Sequence, residues 1–128
     1  MVHRVADTLN EKGRAINGSR ILVLGVTYKK NVDDMRESRS LHIMDMLLQK
    51  GAEVDYSDPY VPVFPRLRKF AFNLKSRQLT EETIQSYDCL LLATDHNDFD
   101  YDSIARHVRL IVDTRGRYVN GEGNIWPA

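Results

Sequence analysis

A parallel α/β sheet with helices on both faces is the fold class this sequence predicts, and three observations predict it. Apolar runs at residues 19–25 (SRILVLG), 89–94 (CLLLAT) and 110–113 (LIVD) have the length and continuous hydrophobicity of strands buried on both faces. Segments with helical periodicity separate them. The order along the chain is β-α-β, an irregular stretch, then α-β-α-β, which favours parallel strands joined by right-handed crossovers. The expected architecture is a Rossmann-like doubly wound parallel sheet in three layers, αβα.

The elements follow in order. Val2, Val5, Ala6 and Leu9 share one face at helical spacing and predict a short amphipathic helix that ends near Gly13. No capping residue precedes it except Met1, so it is expected to be the tail of a longer helix. Residues 19–25 form the first strand. Ser38 or Ser40 then caps a helix reaching about Lys50, with Leu41, Met44, Leu47 and Leu48 toward the core and Gly51 as its stop. Residues 52–57 (AEVDYS) alternate like a strand, which Asp58-Pro59 terminates. Residues 60–79 lack clean periodicity and read as an irregular connection with a helical turn near 64–69. Thr80, Glu81 and Glu82 start a short helix with acids at its positive end. The strand at 89–94, a helix at 102–107 and the strand at 110–113 complete the chain.

The chain has 128 residues, enough for one domain with a real core and too few for two full ones. Eighteen basic and eighteen acidic residues cancel, so no global field attracts nucleic acid or an anionic membrane. An anion site must therefore be local. The single cysteine, Cys89, excludes an intrachain disulfide and suits a reducing cytoplasm. No apolar stretch approaches a membrane span, and the first residues lack the apolar core of a signal peptide.

Charge concentrates after the first strand. The segment from Gly25 to Ser38 carries Tyr28, Lys29, Lys30, Asp33, Asp34, Arg36 and Glu37 at the carboxyl end of a buried strand. Open α/β sheets bind ligands at that edge. Tyr28 can cover a base or ribose, Lys29 can meet a phosphate or hydroxyl, and Arg36 can hold an anion bidentately. An equal alternative is that Asp33, Asp34 and Glu37 neutralise Lys29, Lys30 and Arg36 among themselves. Only one glycine, Gly25, follows the first strand, so the G-x-G-x-x-G fingerprint of a dinucleotide site is missing. Asp58 stands where a ribose-binding acid would, but turn chemistry with Pro59 is the favoured role.

Three further groups carry polar or reactive side chains. Asp113, Thr114, Arg115 and Gly116 lie at the carboxyl edge of the last predicted strand, where a capped turn with a solvated arginine is the plain interpretation. Asp98, Asp100 and Asp102 mimic the start of a calcium loop, but its sixth position is Ser103 and its twelfth is Arg109, so the pattern fails twice. His96 alone makes no zinc site, and no metal is expected. Cys89 begins an apolar run with no His or Lys beside it, which describes a core thiol rather than an activated nucleophile.

Several blocks in order resemble the carboxyl-terminal domain of the UDP-glucose/GDP-mannose dehydrogenase family. They are Y-K-K-N-V-D-D-M-R-E-S at 28–38, GAEVDYSDPYVP at 51–62, YDCLLLATDH at 87–96 with its T-x-H-x-x-F turn, and LIVDTRG at 110–116. Among family members the blocks look most like those of UDP-N-acetylglucosamine-type 6-dehydrogenases. The resemblance implies a UDP-sugar-binding domain at residues 19–128, preceded at 1–18 by the tail of a central dimerisation helix and a linker. It implies that Tyr28, Lys29 and Arg115 contact the nucleotide-sugar and that Arg36 reaches the NAD side. It also implies that NAD is held mainly by an amino-terminal domain that this segment does not include. The catalytic cysteine would likewise lie in a preceding segment, so these residues alone would not turn over substrate. The implied partners are the UDP-sugar, the NAD-binding and central domains, and further copies of the full-length enzyme in a homodimer or larger assembly. One departure is Arg39, where many relatives carry proline after R-E-S; little change of fold is expected from it. Two rival readings are a free-standing nucleotide-binding module and an interaction domain that uses Val5 and Leu9 on the first helix to contact a partner.

Overall fold

The computed structural model of the chain describes residues 2–11, 13–27, 39–63, 75–118 and 125–127. Its elements are α1 (Val2–Glu11), β1 (Arg20–Leu24), α2 (Arg39–Gln49), β2 (Glu53–Ser57), α3 (Glu81–Ser86), β3 (Cys89–Leu92), α4 (Tyr101–His107), β4 (Ile111–Asp113) and β5 (Ile125–Pro127). The strands form one sheet in the order β2-β1-β3-β4-β5, and every described pair is parallel. This is the doubly wound arrangement that the apolar runs predict. β5 was not foreseen: Ile-Trp-Pro is only three residues long and carries a proline, which suits the sheet's outer edge.

Strand alternation divides the core into two layers. Ile21 and Val23 of β1, Val54 and Tyr56 of β2, Cys89 and Leu91 of β3, and Val112 of β4 face the layer that holds α1 and α2. Leu22, Leu24, Leu90, Leu92, Ile111 and Ile125 face the opposite layer with Ile84 of α3 and Ile104 of α4. Because both faces are covered, the inner strands β1 and β3 are almost continuously apolar, and Cys89–Leu92 is buried at every position, whereas β2 at the sheet's edge alternates.

Short helices are marginal alone and depend on docking. In α1 the side chains of Val5 and Leu9 are fully buried in the first layer. Each contributes on the order of 1.5–3 kcal/mol by leaving water. Val5 and Leu9 are therefore consumed inside this chain and do not present the partner surface that one rival reading requires. Arg39 opens α2 and is exposed, so the proline of other sequences is replaced without breaking the helix start. Ser38 lies outside the described residues. Ser40 sits within the first turn of α2, and its buried hydroxyl donates to the Gly25 carbonyl at 3.0 Å. It is a tie between helix and strand rather than a cap.

Of the other helix starts, that of α3 follows expectation. Thr80 caps α3, with its hydroxyl accepting from the Thr83 amide at 3.1 Å and Glu81 and Glu82 in the first turn. Asp100 caps α4 by accepting from the Ser103 amide at 3.1 Å, which starts the helix one residue earlier than its periodicity suggests. The helical turn expected at 64–69 falls outside the described residues. The described part of that connection returns along the outer edge of β2. Val63 and Lys75 form an antiparallel bridge, and the Arg77 amide donates to the Tyr56 carbonyl at 2.9 Å.

Candidate functional site

In a sheet of this order the chain leaves β1 toward β2 and later returns to β3 on the other side. A crevice is expected where that reversal occurs, at the carboxyl ends of β1 and β3. The residues there are Gly25, Val26 and Thr27 after β1 and Ala93 to His96 after β3. Asp58 and Tyr60, after β2, flank them. Gly25 has a φ of 85°, a conformation that side chains disfavour, and a Cβ there would lie 2.4 Å from the Thr94 Cβ and 2.5 Å from the Thr94 carbonyl oxygen. Glycine at this point allows the two strand ends to touch.

A buried polar network ties the loops together. One Asp58 oxygen accepts from the Val26 amide at 2.8 Å and from His96 Nε2 at 2.9 Å. The other accepts from the Tyr60 amide at 2.8 Å. Asp58 and His96 side chains are both fully buried. A carboxylate that already takes backbone N–H groups acts as acceptor toward the imidazole, which places a proton on Nε2. The same nitrogen lies 3.3 Å from Thr27 Oγ1, and the Thr94 hydroxyl donates to the Thr27 carbonyl at 2.8 Å. Tyr60 and Phe99 pack around the His96 ring, with centroids 4.8 and 5.6 Å away.

The turn chemistry expected of Asp58 is present in its bond to the Tyr60 amide, but most of its contacts reach across the sheet. Sequence reasoning missed that. It also treated His96 as an isolated histidine in an acidic loop, whereas the ring points into the protein. The nearby acids have separate tasks: Asp100 caps α4, and Asp98 accepts from the Tyr60 hydroxyl at 3.2 Å. A usable signal did exist. Asp58 follows β2 and His96 follows β3, and both strands border β1.

Arg115 is the one sequence-predicted ligand residue among those described; Tyr28, Lys29 and Arg36 fall within 28–38, outside them. Asp113 builds the turn after β4 by accepting from the Arg115 amide and the Tyr118 amide, each at 2.9 Å. The turn directs the Arg115 side chain back across the sheet, where its Nε donates to the Ala93 carbonyl at 2.7 Å. This is more than a solvated arginine. Its Nε is thus anchored at the end of β3, one of the two strands that border the crevice, while the residue as a whole remains exposed. Anchored in this way, Arg115 can meet a phosphate with little further loss of side-chain freedom. Thr27, the last described residue before the charged segment, is tied to that strand end by the Thr94 hydroxyl.

The described start of the turn after β1, at Gly25 and Val26, leaves no backbone amide free for a pyrophosphate. The Gly25 amide donates to the Ser57 carbonyl at 2.9 Å, the Val26 amide is taken by Asp58, and the space above Gly25 is filled by Thr94. Asp58 is enclosed and its oxygens are engaged, so it cannot hold a ribose at the surface. Cys89 is equally removed from chemistry. Burial pushes its thiol up to about 12, and its Sγ lies against the Leu90 carbonyl at 3.4 Å. A thiol reagent at about pH 8 should leave the native protein unlabelled and modify it fully once denatured. Rapid labelling of the folded chain would contradict the core position.

The fold and site define a class, the parallel α/β domains that bind a ligand at the carboxyl edge of the sheet. More particularly, this chain belongs to the UDP-glucose/GDP-mannose dehydrogenase family, whose UDP binding domain matches residues 22–120. It is 34% identical over 112 residues to UDP-N-acetyl-D-mannosamine dehydrogenase of Methanococcus vannielii, a match covering 81% of this chain and 24% of that protein. It is 34% identical over 115 residues to UDP-glucose 6-dehydrogenase of Rhizobium meliloti, covering 86% of this chain and 26% of the relative. The native structure of the UDP-N-acetyl-mannosamine dehydrogenase Cap5O from Staphylococcus aureus superposes with a TM-score of 0.69 at 25% identity. That match covers 98% of this chain and 30% of the other. The chain thus spans about a quarter of the length of the curated relatives it matches. Among the described residues, no helix is long and apolar enough to cross a membrane.

Proposed function

We propose that residues 19–128 form the nucleotide-sugar-binding domain of an NAD-dependent UDP-N-acetylhexosamine 6-dehydrogenase of the UDP-N-acetylglucosamine type. Residues 1–18 would be the end of a central dimerisation helix and its linker. The observation that carries this reading is the anchored Arg115, held by its Nε–Ala93 bond at the end of β3, beside the strand that leads into the charged segment. Tyr28 and Lys29 would contact the base, ribose and phosphates, and the Arg115 guanidinium would take a phosphate oxygen or sugar hydroxyl. Arg36 would face NAD carried by another domain, in keeping with the closed turn at Gly25. The domain's contribution is to orient the sugar for chemistry performed elsewhere, a positioning effect. NAD supplies the hydride acceptor when bound. A cytoplasmic location and a homodimer or larger assembly of the full-length protein belong to the same proposal.

Titrating the chain with UDP-N-acetylglucosamine, and separately with NAD, tests it by amide shifts. Shifts near Tyr28, Lys29 and Arg115 are expected with the UDP-sugar and little with NAD. Lys29→Ala and Arg115→Ala should each weaken UDP-sugar binding by about tenfold to a hundredfold, the range of one charge-assisted hydrogen bond. Unchanged affinity in both variants would end the assignment.

A further inference from the structure

We propose that the buried Asp58–His96 pair is a positioning device for the nucleotide-sugar site. It sets the path along which the chain leaves β1 toward Tyr28 and Lys29, without touching the ligand. The inference rests on the functional reading above.

Backbone groups of the three residues before Tyr28 are held from neighbouring loops. Ser40 at the start of α2 donates to the Gly25 carbonyl, Asp58 after β2 accepts the Val26 amide, and Thr94 after β3 donates to the Thr27 carbonyl. His96 joins the last two: its Nε2 meets Asp58 at 2.9 Å and the Thr27 hydroxyl at 3.3 Å. The imidazole and the carboxylate are both fully buried, so neither can be a ligand contact. A hydrogen-bonded pair of this kind, closed off from water, has few alternative geometries of comparable energy. It therefore restricts the direction in which residue 28 departs. Tyr60 and Phe99 hold the ring in place, and the Tyr101 hydroxyl donates to the His96 carbonyl at 2.6 Å. The loops after β1, β2 and β3 behave as one unit because of this pair, and Arg115 joins the unit through Ala93.

Hydrogen bonding and packing by His96 can be separated. His96→Phe keeps a ring between Tyr60 and Phe99 but removes the bond to Asp58; His96→Gln places an amide N–H near the former Nε2 position. UDP-N-acetylglucosamine affinity and hydrogen exchange of the Val26 amide would be measured in the 128-residue chain for both, with Lys29→Ala alongside. His96→Phe should weaken binding about tenfold and accelerate Val26 exchange, and His96→Gln should recover affinity to within about threefold of the parent. Amides of α3 and α4 should keep their native shifts in each. Should His96→Phe fail to fold, Thr94→Val removes a single tie to Thr27 with little change of shape and should weaken binding about threefold. Full affinity in His96→Phe, or in Thr94→Val where that variant is used, would overturn the inference if Lys29→Ala weakens binding as expected. So would a folded His96→Gln as weak as the phenylalanine variant, because packing would then be the whole role. If the unsubstituted chain does not bind the UDP-sugar, the functional reading falls and takes this inference with it.

Discussion

Gly25→Ala should destabilise the domain by roughly 2–5 kcal/mol, combining a left-handed backbone penalty of about 1–2 with overpacking of about 1–3. The added methyl would overlap both the Cβ and the carbonyl oxygen of Thr94. Neither group can retreat easily, because the Ala93 and Thr94 amides both donate to the Leu24 carbonyl, at 2.9 and 3.1 Å. Gly25 is itself fixed by its amide bond to Ser57 and by Ser40 on its carbonyl. Gly18→Ala provides the comparison. Its φ is 84°, but a Cβ there would meet nothing within 4 Å, so only the backbone term of about 1–2 kcal/mol should appear. Urea denaturation of the two variants isolates the steric part as their difference. Equal midpoints would mean that the strand ends separate at little cost, and that Gly25 is not needed for their approach.

Asp58→Ala should have a comparable effect, about 3–5 kcal/mol, because each buried donor left without its acceptor costs about 1–3 kcal/mol. The substitution removes the acceptor of His96 Nε2, the Val26 amide and the Tyr60 amide together. His96 and the Val26 amide have no ready access to water in replacement, since His96, Val26 and Thr27 are all buried. Asp58→Asn should be milder, at about 1–3 kcal/mol, because one oxygen persists while the new NH₂ faces a donor. Thermal and urea unfolding of both variants should rank them in that order with unchanged m-values. An Asp58→Ala variant as stable as the parent would show that water replaces the carboxylate, and that the network is not closed.

The strands were legible because a sheet covered on both faces demands runs without polar interruption, and residues 19–25, 89–94 and 110–113 have no other plain interpretation. Thr80 was legible as a helix start because a side-chain acceptor must sit beside the first turn, whereas Asp100 was read only as part of an acidic loop. β5 was not, since Ile125–Pro127 acquires its strand character only from β4 beside it. The same distinction separates Arg115 from His96. A basic residue just past a strand is visible in one dimension; a histidine whose partner lies 38 positions away, across an intervening strand, is not. Asp58 showed its local half, the turn with Tyr60, and concealed the half that depends on β2 and β3 both bordering β1. Ser40 likewise looked like a cap until the sheet brought Gly25 within reach of its hydroxyl.

The returning segment along β2 bears on how copies of this protein can meet. An uncovered outer strand offers a row of amides and carbonyls onto which another chain can add, the usual route to uncontrolled association of sheets. On β2 the Tyr56 carbonyl is capped by the Arg77 amide, the Ser57 hydroxyl donates to the Arg77 carbonyl at 2.6 Å, and the Asp58 amide donates to the Ser76 hydroxyl at 2.8 Å. That flank is blunted by the chain itself. Growth of the sheet from molecule to molecule is discouraged along that flank.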